Sequence, residues 1–111
     1  ELSKKYNLLL EKAKKEEKEK MVFFNYGGDL SISAEISNEL SYLYPGKVIV
    51  VGYVFGPFIN VSMRGNNVKA ILEKVLSKLE NASGGGHRDA VGARIQSKDL
   101  EKFKTEVEKQ L

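Results

Sequence analysis

Residues 47–64 read KVIVVGYVFGPFINVSMR, and the fold turns on them. Residues 47–55 are almost wholly apolar and rich in β-branched side chains, the pattern of a strand in a central position of a sheet. Gly56-Pro57 signals a turn. Residues 58–64 then alternate, with Ile59, Val61 and Met63 on one side and Asn60, Ser62 and Arg64 on the other. The two runs are expected to pair as a hairpin, the apolar row facing a core. The polar row ends in one of only three arginines. A solvated sheet face accounts for that row as well as a ligand does.

Outward from this hairpin, helices and strands alternate. MVFFNY (21–26) reads as a strand closed by Gly27-Gly28-Asp29, and a helix follows from about Ser33 with Ile36, Leu40, Leu43 and Tyr44 on one face. Pro45-Gly46 ends it. Beyond Asn66-Asn67, the residues Val68, Ile71, Leu72, Val75, Leu76 and Leu79 keep the spacing of a single buried helical stripe. ARIQ (93–96) is a short strand, and Ser97 is placed to cap a last helix bearing Leu100, Phe103, Val107 and Leu111. The expected class is α/β, a single layered domain with a mixed sheet and the order α-βαββαβα.

The first twenty residues, ELSKKYNLLLEKAKKEEKEK, contain strong helix formers and neither Gly nor Pro. Leu2, Tyr6, Leu9, Leu10 and Ala13 fall at helical spacing before an all-charged run from Lys14 to Lys20. So thin an apolar face predicts weak docking, so 1–20 reads as a connector helix and 21–111 as the domain. With no initiating methionine, the chain is expected to be a fragment.

Composition bounds the function. A chain of 111 residues with 41% hydrophobic and 30% charged residues is one globular domain. The absence of cysteine excludes a disulfide framework, a thiolate zinc site and a cysteine nucleophile. The longest apolar run is too short to span a bilayer, no signal-peptide pattern opens the chain, and a cytoplasmic protein is expected. A net charge of +3 makes any basic site a local one. Abundant lysine and glutamate hint at a thermophile.

Chemistry concentrates in SGGGHRDAVGARI, residues 83–95. Gly84, Gly85 and Gly86 allow a ligand close to the backbone, and successive amides there are expected to converge on an anion as a nest. His87 and Arg88 stand at the rim, where arginine grips phosphate through two parallel bonds. HRDAVG is expected to make one helical turn ended by Gly92, its dipole aimed at the same anion. Asp89 would repel phosphate and reads as a turn or capping residue. Arg94 faces either ligand or water. The competing reading is that three glycines merely connect a helix to a strand. Metal binding by His87 lacks a second histidine or a cysteine to assist it. Tyr26, Tyr53 and Phe55 offer rings for base stacking, but core packing is the simpler expectation for each.

GGGHRDAVG resembles the GGGH-x-x-A-x-G signature of the DHH-associated domain, the C-terminal substrate-binding domain of DHH-type phosphoesterases. VSMRG, some twenty residues earlier, is similar to that family's V-S-x-R strand, and the resemblance covers roughly 21–111. Val91 departs from it, standing where the family often has alanine. Members include RecJ-type single-strand exonucleases, nanoRNA and cyclic-dinucleotide phosphodiesterases, and archaeal RecJ-like nucleases that associate with the GINS replication complex. The resemblance implies that Arg64, the Gly84–Gly86 backbone, His87 and Ser62 hold a phosphate or terminal nucleotide; Arg88 is added to this candidate site by its place at the rim. It also implies partners: single-stranded nucleic acid or a nucleotide, and an upstream DHH catalytic domain carrying Mn2+ or Mg2+.

The chain itself has no DHH triplet and one histidine, so the expectation is that it binds substrate without cleaving it, with no cofactor of its own. Two other readings compete. The related C-terminal domain of alanyl-tRNA synthetase is a tRNA-binding module with a similar glycine-rich stretch. His87, Val91 and the serine–arginine strand count against it. A protein-interaction domain whose glycines only turn the chain is the other.

Overall fold

The computed structural model describes residues 2–111. In chain order the elements are α1 (Leu2–Lys14), β1 (Met21–Tyr26), α2 (Ser33–Leu43), β2 (Val48–Phe55), β3 (Phe58–Arg64), α3 (Val68–Leu76), β4 (Ser83–His87), β5 (Ala90–Gln96), a 3-10 turn (Ser97–Asp99) and α4 (Leu100–Glu108). The strands form one mixed sheet in the order β1-β2-β3-β5-β4. Only β1 and β2 run parallel; the remaining neighbours are antiparallel. The expected order of elements holds, with one strand added.

The hairpin forms where the alternation placed it, with Val51 opposite Ser62 and Phe55 opposite Phe58. Strand pleating then sends side chains into two cores. On one face Met21, Phe23, Val50, Ile59, Val61, Met63, Val91 and Ile95 meet α3 through Leu72 and Val75, and α4 through Phe103 and Val107. On the other, Val22, Phe24, Tyr26, Ile49, Val51 and Tyr53 meet α2 through Ile36 and Leu40. Burial of side chains of this size contributes about 1.5–3 kcal/mol each. Leu43, expected on the buried face of α2, is 38% exposed. The Tyr26 hydroxyl fixes where α2 starts, accepting from the Ile32 amide at 2.7 Å and lying 3.1 Å from Ser33 Oγ.

Against expectation, α1 docks. Leu10 and Ala13 are buried in the second core, with Tyr6 and Leu9 packed against it. Two small contact positions suffice because α1 need only cover β1 and the flank of α2. Ser97 does not cap the last helix. Its hydroxyl donates instead to the Gly56 carbonyl at 2.8 Å, tying the β2–β3 turn to the end of β5. Among the described residues no helix is long and apolar enough to cross a membrane.

Glu106 of α4 is a buried carboxylate between Lys109, at 3.1 Å, and Lys78, at 3.3 Å. The hydrogen bond from Lys109, with lesser help from Lys78, holds its pKa below the ordinary 4.5. A depressed folded-state pKa adds stability above about the ordinary value, which is lost as pH falls through the folded pKa. Thermal midpoints measured from neutral pH into acid are therefore expected to fall less steeply for Glu106→Gln than for the parent, starting from a lower neutral value. Parallel curves would remove Glu106 from the acid limb.

Candidate functional site

The glycine stretch is an edge strand. Ser83–His87 pairs antiparallel with Ala90–Arg94, joined by a turn at Arg88 and Asp89. This replaces two expectations. Successive amides of an extended strand point to alternate sides, so Gly84–Gly86 do not form a converging nest. HRDAVG is likewise no helical turn, because Ala90 onward is held by β3. The turn is used by the protein itself at the start of α3. The Asp89 carboxylate accepts from the Asn67 amide at 2.8 Å, and the Asp89 and Arg88 carbonyls accept from Gly65 and Lys69 at 3.1 Å each. Asp89 is thus the capping residue its charge implied, and the α3 dipole is satisfied within the chain.

Register then decides which site residues meet. Side chains directly opposite in antiparallel strands share a face. Arg64 pairs with Ala90, which pairs with His87. One step along, Ser62 pairs with Gly92 and Gly92 with Gly85; one further, Asn60, Arg94 and Ser83 form a third row. All three rows lie on the face opposite α3 and α4. There α2 packs chiefly on β2 and β3, and His87, Gly85, Gly92 and Arg94 are exposed. The middle row carries no side chain beyond Ser62. It is a bare floor about 10 Å across, two strand spacings, lying between the Arg64–Ala90–His87 row and the Asn60–Arg94–Ser83 row.

The three glycines divide by role. A Cβ at Gly84 would stand 2.5 Å from the Gly92 carbonyl oxygen and 2.7 Å from Ala93 Cβ. One at Gly86, whose φ is +145°, would stand 2.6 Å from the Ala90 oxygen. At Gly85 it would meet nothing within 4 Å. Gly84 and Gly86 let β4 approach β5, while Gly85 alone opens the floor.

Arg64 is held in place. Its Nε donates to Asn38 Oδ1 on α2 at 2.8 Å, and Nη1 donates to the Met63 carbonyl at 2.9 Å and the Val91 carbonyl at 3.4 Å. Among the described residues Nη2 has no hydrogen-bond partner and keeps both of its protons for a ligand. Partial burial pushes the guanidinium pKa below the ordinary arginine value; the same desolvation strengthens its attraction for an anion. Arg88 does not join this group. Its guanidinium bonds Asn66 Oδ1 at 3.0 Å and pairs with Asp89 at 3.5 Å, at the α3 end of the turn. Asn38, Gly92 and Arg94 complete the face; the sequence left Arg94 open between ligand and water, read Gly92 only as the end of a helical turn, and gave no sign of Asn38. Gly92 was findable as a partner for Gly85, the two being symmetric about a two-residue turn; Asn38, 26 residues from Arg64, left no local signal.

A concavity lies elsewhere, between α4, β1 and the segment before β1, lined by Lys20, Met21, Phe23, Lys104 and Leu111. It contains none of these polar residues, and the open sheet face suits an extended ligand lying across it better than an enclosed small molecule. Among the described residues no three His, Cys, Asp or Glu side chains gather where a metal ion could be held.

The sequence model of the DHHA1 domain matches residues 8–111. This chain belongs to the DHHA1 family. The match begins inside α1, consistent with the docking of that helix in the second core of this DHHA1 domain. No curated protein sequence matches the chain. Among solved structures, it resembles the C-Ala domain of Aquifex aeolicus alanyl-tRNA synthetase with TM-score 0.56 and 19% identity, over 79% of this chain and 89% of that one. It also resembles PggH, a pGpG-specific phosphodiesterase from Vibrio cholerae, with TM-score 0.65 and 17% identity over 96% of this chain. The DHHA1 domain spans only 39% of that phosphodiesterase. At these identities the likeness is one of fold.

Proposed function

We propose that this DHHA1 domain holds a phosphate of a nucleotide or single-stranded nucleic-acid end on the β3–β5–β4 face and presents it to a separate catalytic domain. One observation carries the reading: an arginine fixed by three hydrogen bonds, with Nη2 unengaged among the described residues, shares a row with the only histidine beside a floor of glycines. Arg64 supplies a rigid, charge-assisted grip on phosphate oxygens. Ser62 and His87 add hydrogen-bonding groups on either side, and Gly85 and Gly92 let the phosphate settle onto the strands. Arg88, Gly84 and Gly86 support the site by shaping the turn and the strand approach.

Hydrolysis belongs to a DHH domain upstream in the intact protein, where Mn2+ or Mg2+ would supply the activated water. What this domain contributes is positioning, which converts an encounter into an oriented approach. The finer reading is a RecJ-like single-strand exonuclease or a related DHH phosphodiesterase, with the archaeal GINS complex a partner to test on the full-length protein.

An NMR titration with a short 5′-phosphorylated single-stranded oligonucleotide is expected to shift Arg64, Gly85, His87 and Gly92. Affinity should fall as salt rises, with a log–log slope of about −0.7 per phosphate contacted. Silence at those residues up to millimolar ligand would discard the reading. The likeness to the C-Ala domain favours one alternative, a tRNA-binding module; binding of folded tRNA without binding of short oligonucleotides would select it.

A further inference from the structure

The β2–β3 turn ends in aromatic residues on the same face as the glycine floor. Phe55 was expected in the core, yet it is 58% exposed. It lies directly opposite Phe58 in the hairpin register, and its ring stacks beside Tyr53 at 6.5 Å and 22°. The Arg94 guanidinium lies over the Phe58 ring at 4.1 Å. Arg94 is exposed, so its guanidinium touches the Phe58 ring while the side chain stays open to solvent. No carboxylate pairs with it among the described residues.

A guanidinium already seated on a ring is held flat, and a flat cation is a platform for another π system. Arg94 stands two residues from Gly92 along β5, about 7 Å. A base whose phosphate rests on the glycine floor reaches that far. Asn60, opposite Arg94 in register and exposed, stands beside the same spot with an amide able to donate and accept.

Resting on the phosphate site proposed above, we infer that Arg94, backed by Phe58 and bordered by Phe55, is a base-stacking subsite. The ligand is then single-stranded nucleic acid lying along the sheet toward the hairpin tip, not an isolated phosphate group. Every nucleobase has a π face, so the subsite tolerates any sequence.

The test compares two ligands with equal phosphate number: a 5′-phosphorylated tetradeoxynucleotide and its fully abasic counterpart, titrated by calorimetry. The parent domain is expected to bind the base-bearing ligand about tenfold more tightly. Arg94→Lys keeps the charge but not the plane, and Phe55→Ala shortens the platform edge. Arg94→Lys should erase most of that tenfold preference, and Phe55→Ala part of it, while abasic binding is unchanged. Equal binding of both ligands by the parent leaves the phosphate site standing and overturns the stacking subsite. Equal losses on both ligands in Arg94→Lys make Arg94 a phosphate contact and also overturn it. Binding of neither ligand by the parent removes both readings. Thermal midpoints of the variants, expected to match the parent, separate these results from misfolding.

Discussion

Gly85→Val is expected to abolish oligonucleotide binding while leaving the fold intact or slightly firmer, whereas Gly84→Ala and Gly86→Ala lower stability. The contrast follows from space. At Gly85 an added Cβ enters open solvent, and a β-branched residue suits an exposed strand better than glycine, by about 0.5–1 kcal/mol. The same side chain occupies the floor beside the row of Arg64 and His87 and keeps a phosphate off the strands. At Gly84 the Cβ falls 2.5 Å from the Gly92 oxygen and 2.7 Å from Ala93 Cβ, both on the neighbouring strand, so β4 must shift. At Gly86 it adds a clash with the Ala90 oxygen at 2.6 Å to a φ of +145°. Overpacking or a forced backbone of this kind costs about 1–3 kcal/mol. In a domain this size each kcal/mol lowers the melting temperature by about 4–8 °C. Calorimetric binding and thermal unfolding of the three variants decide the matter. Undiminished binding by Gly85→Val would place the ligand elsewhere.

Arg64→Ala is expected to weaken binding of a 5′-phosphorylated oligonucleotide about 10–100-fold, from loss of charge-assisted hydrogen bonds worth about 1.5–3 kcal/mol. Arg64→Lys should recover little, because an ammonium cannot keep the bonds to Asn38 and the strand carbonyls while reaching the ligand as a fork. Asn38→Ala should lose part of the affinity, since it frees the guanidinium to swing. None of these changes is expected to unfold the domain. The side chain is only half-buried and its partner Asn38 is exposed, so the stability cost stays near 1 kcal/mol. A purely structural Arg64 would show the opposite pattern, a large drop in melting temperature with binding retained.

The hairpin of β2 and β3 was legible because both signals there are local: apolar continuity in 48–51 and strict alternation in 59–64. The stripe of α3 and the core face of α4, Phe103 and Val107, were legible for the same reason. Side chains repeat with the period of the element, and burial follows. Ser62 and Arg64 could be assigned to one polar row but not to a ligand, since a strand does not record what lies across from it.

β4 escaped reading because glycine carries no periodic signal and has poor strand propensity; its pairing is dictated by a partner strand rather than by its own residues. Asn38 reached Arg64, and Arg94 reached Phe58, through contacts between segments remote in sequence. The docking of α1 through Leu10 and Ala13 depended on how little of β1 was left uncovered. Local chemistry, then, determined every element but β4, the core rows and the residue types able to hold an anion. Tertiary structure alone decided that Arg64, Gly85 and His87 share a face and that Arg88 does not. Register across three strands is a pairwise property, and no single segment contains it.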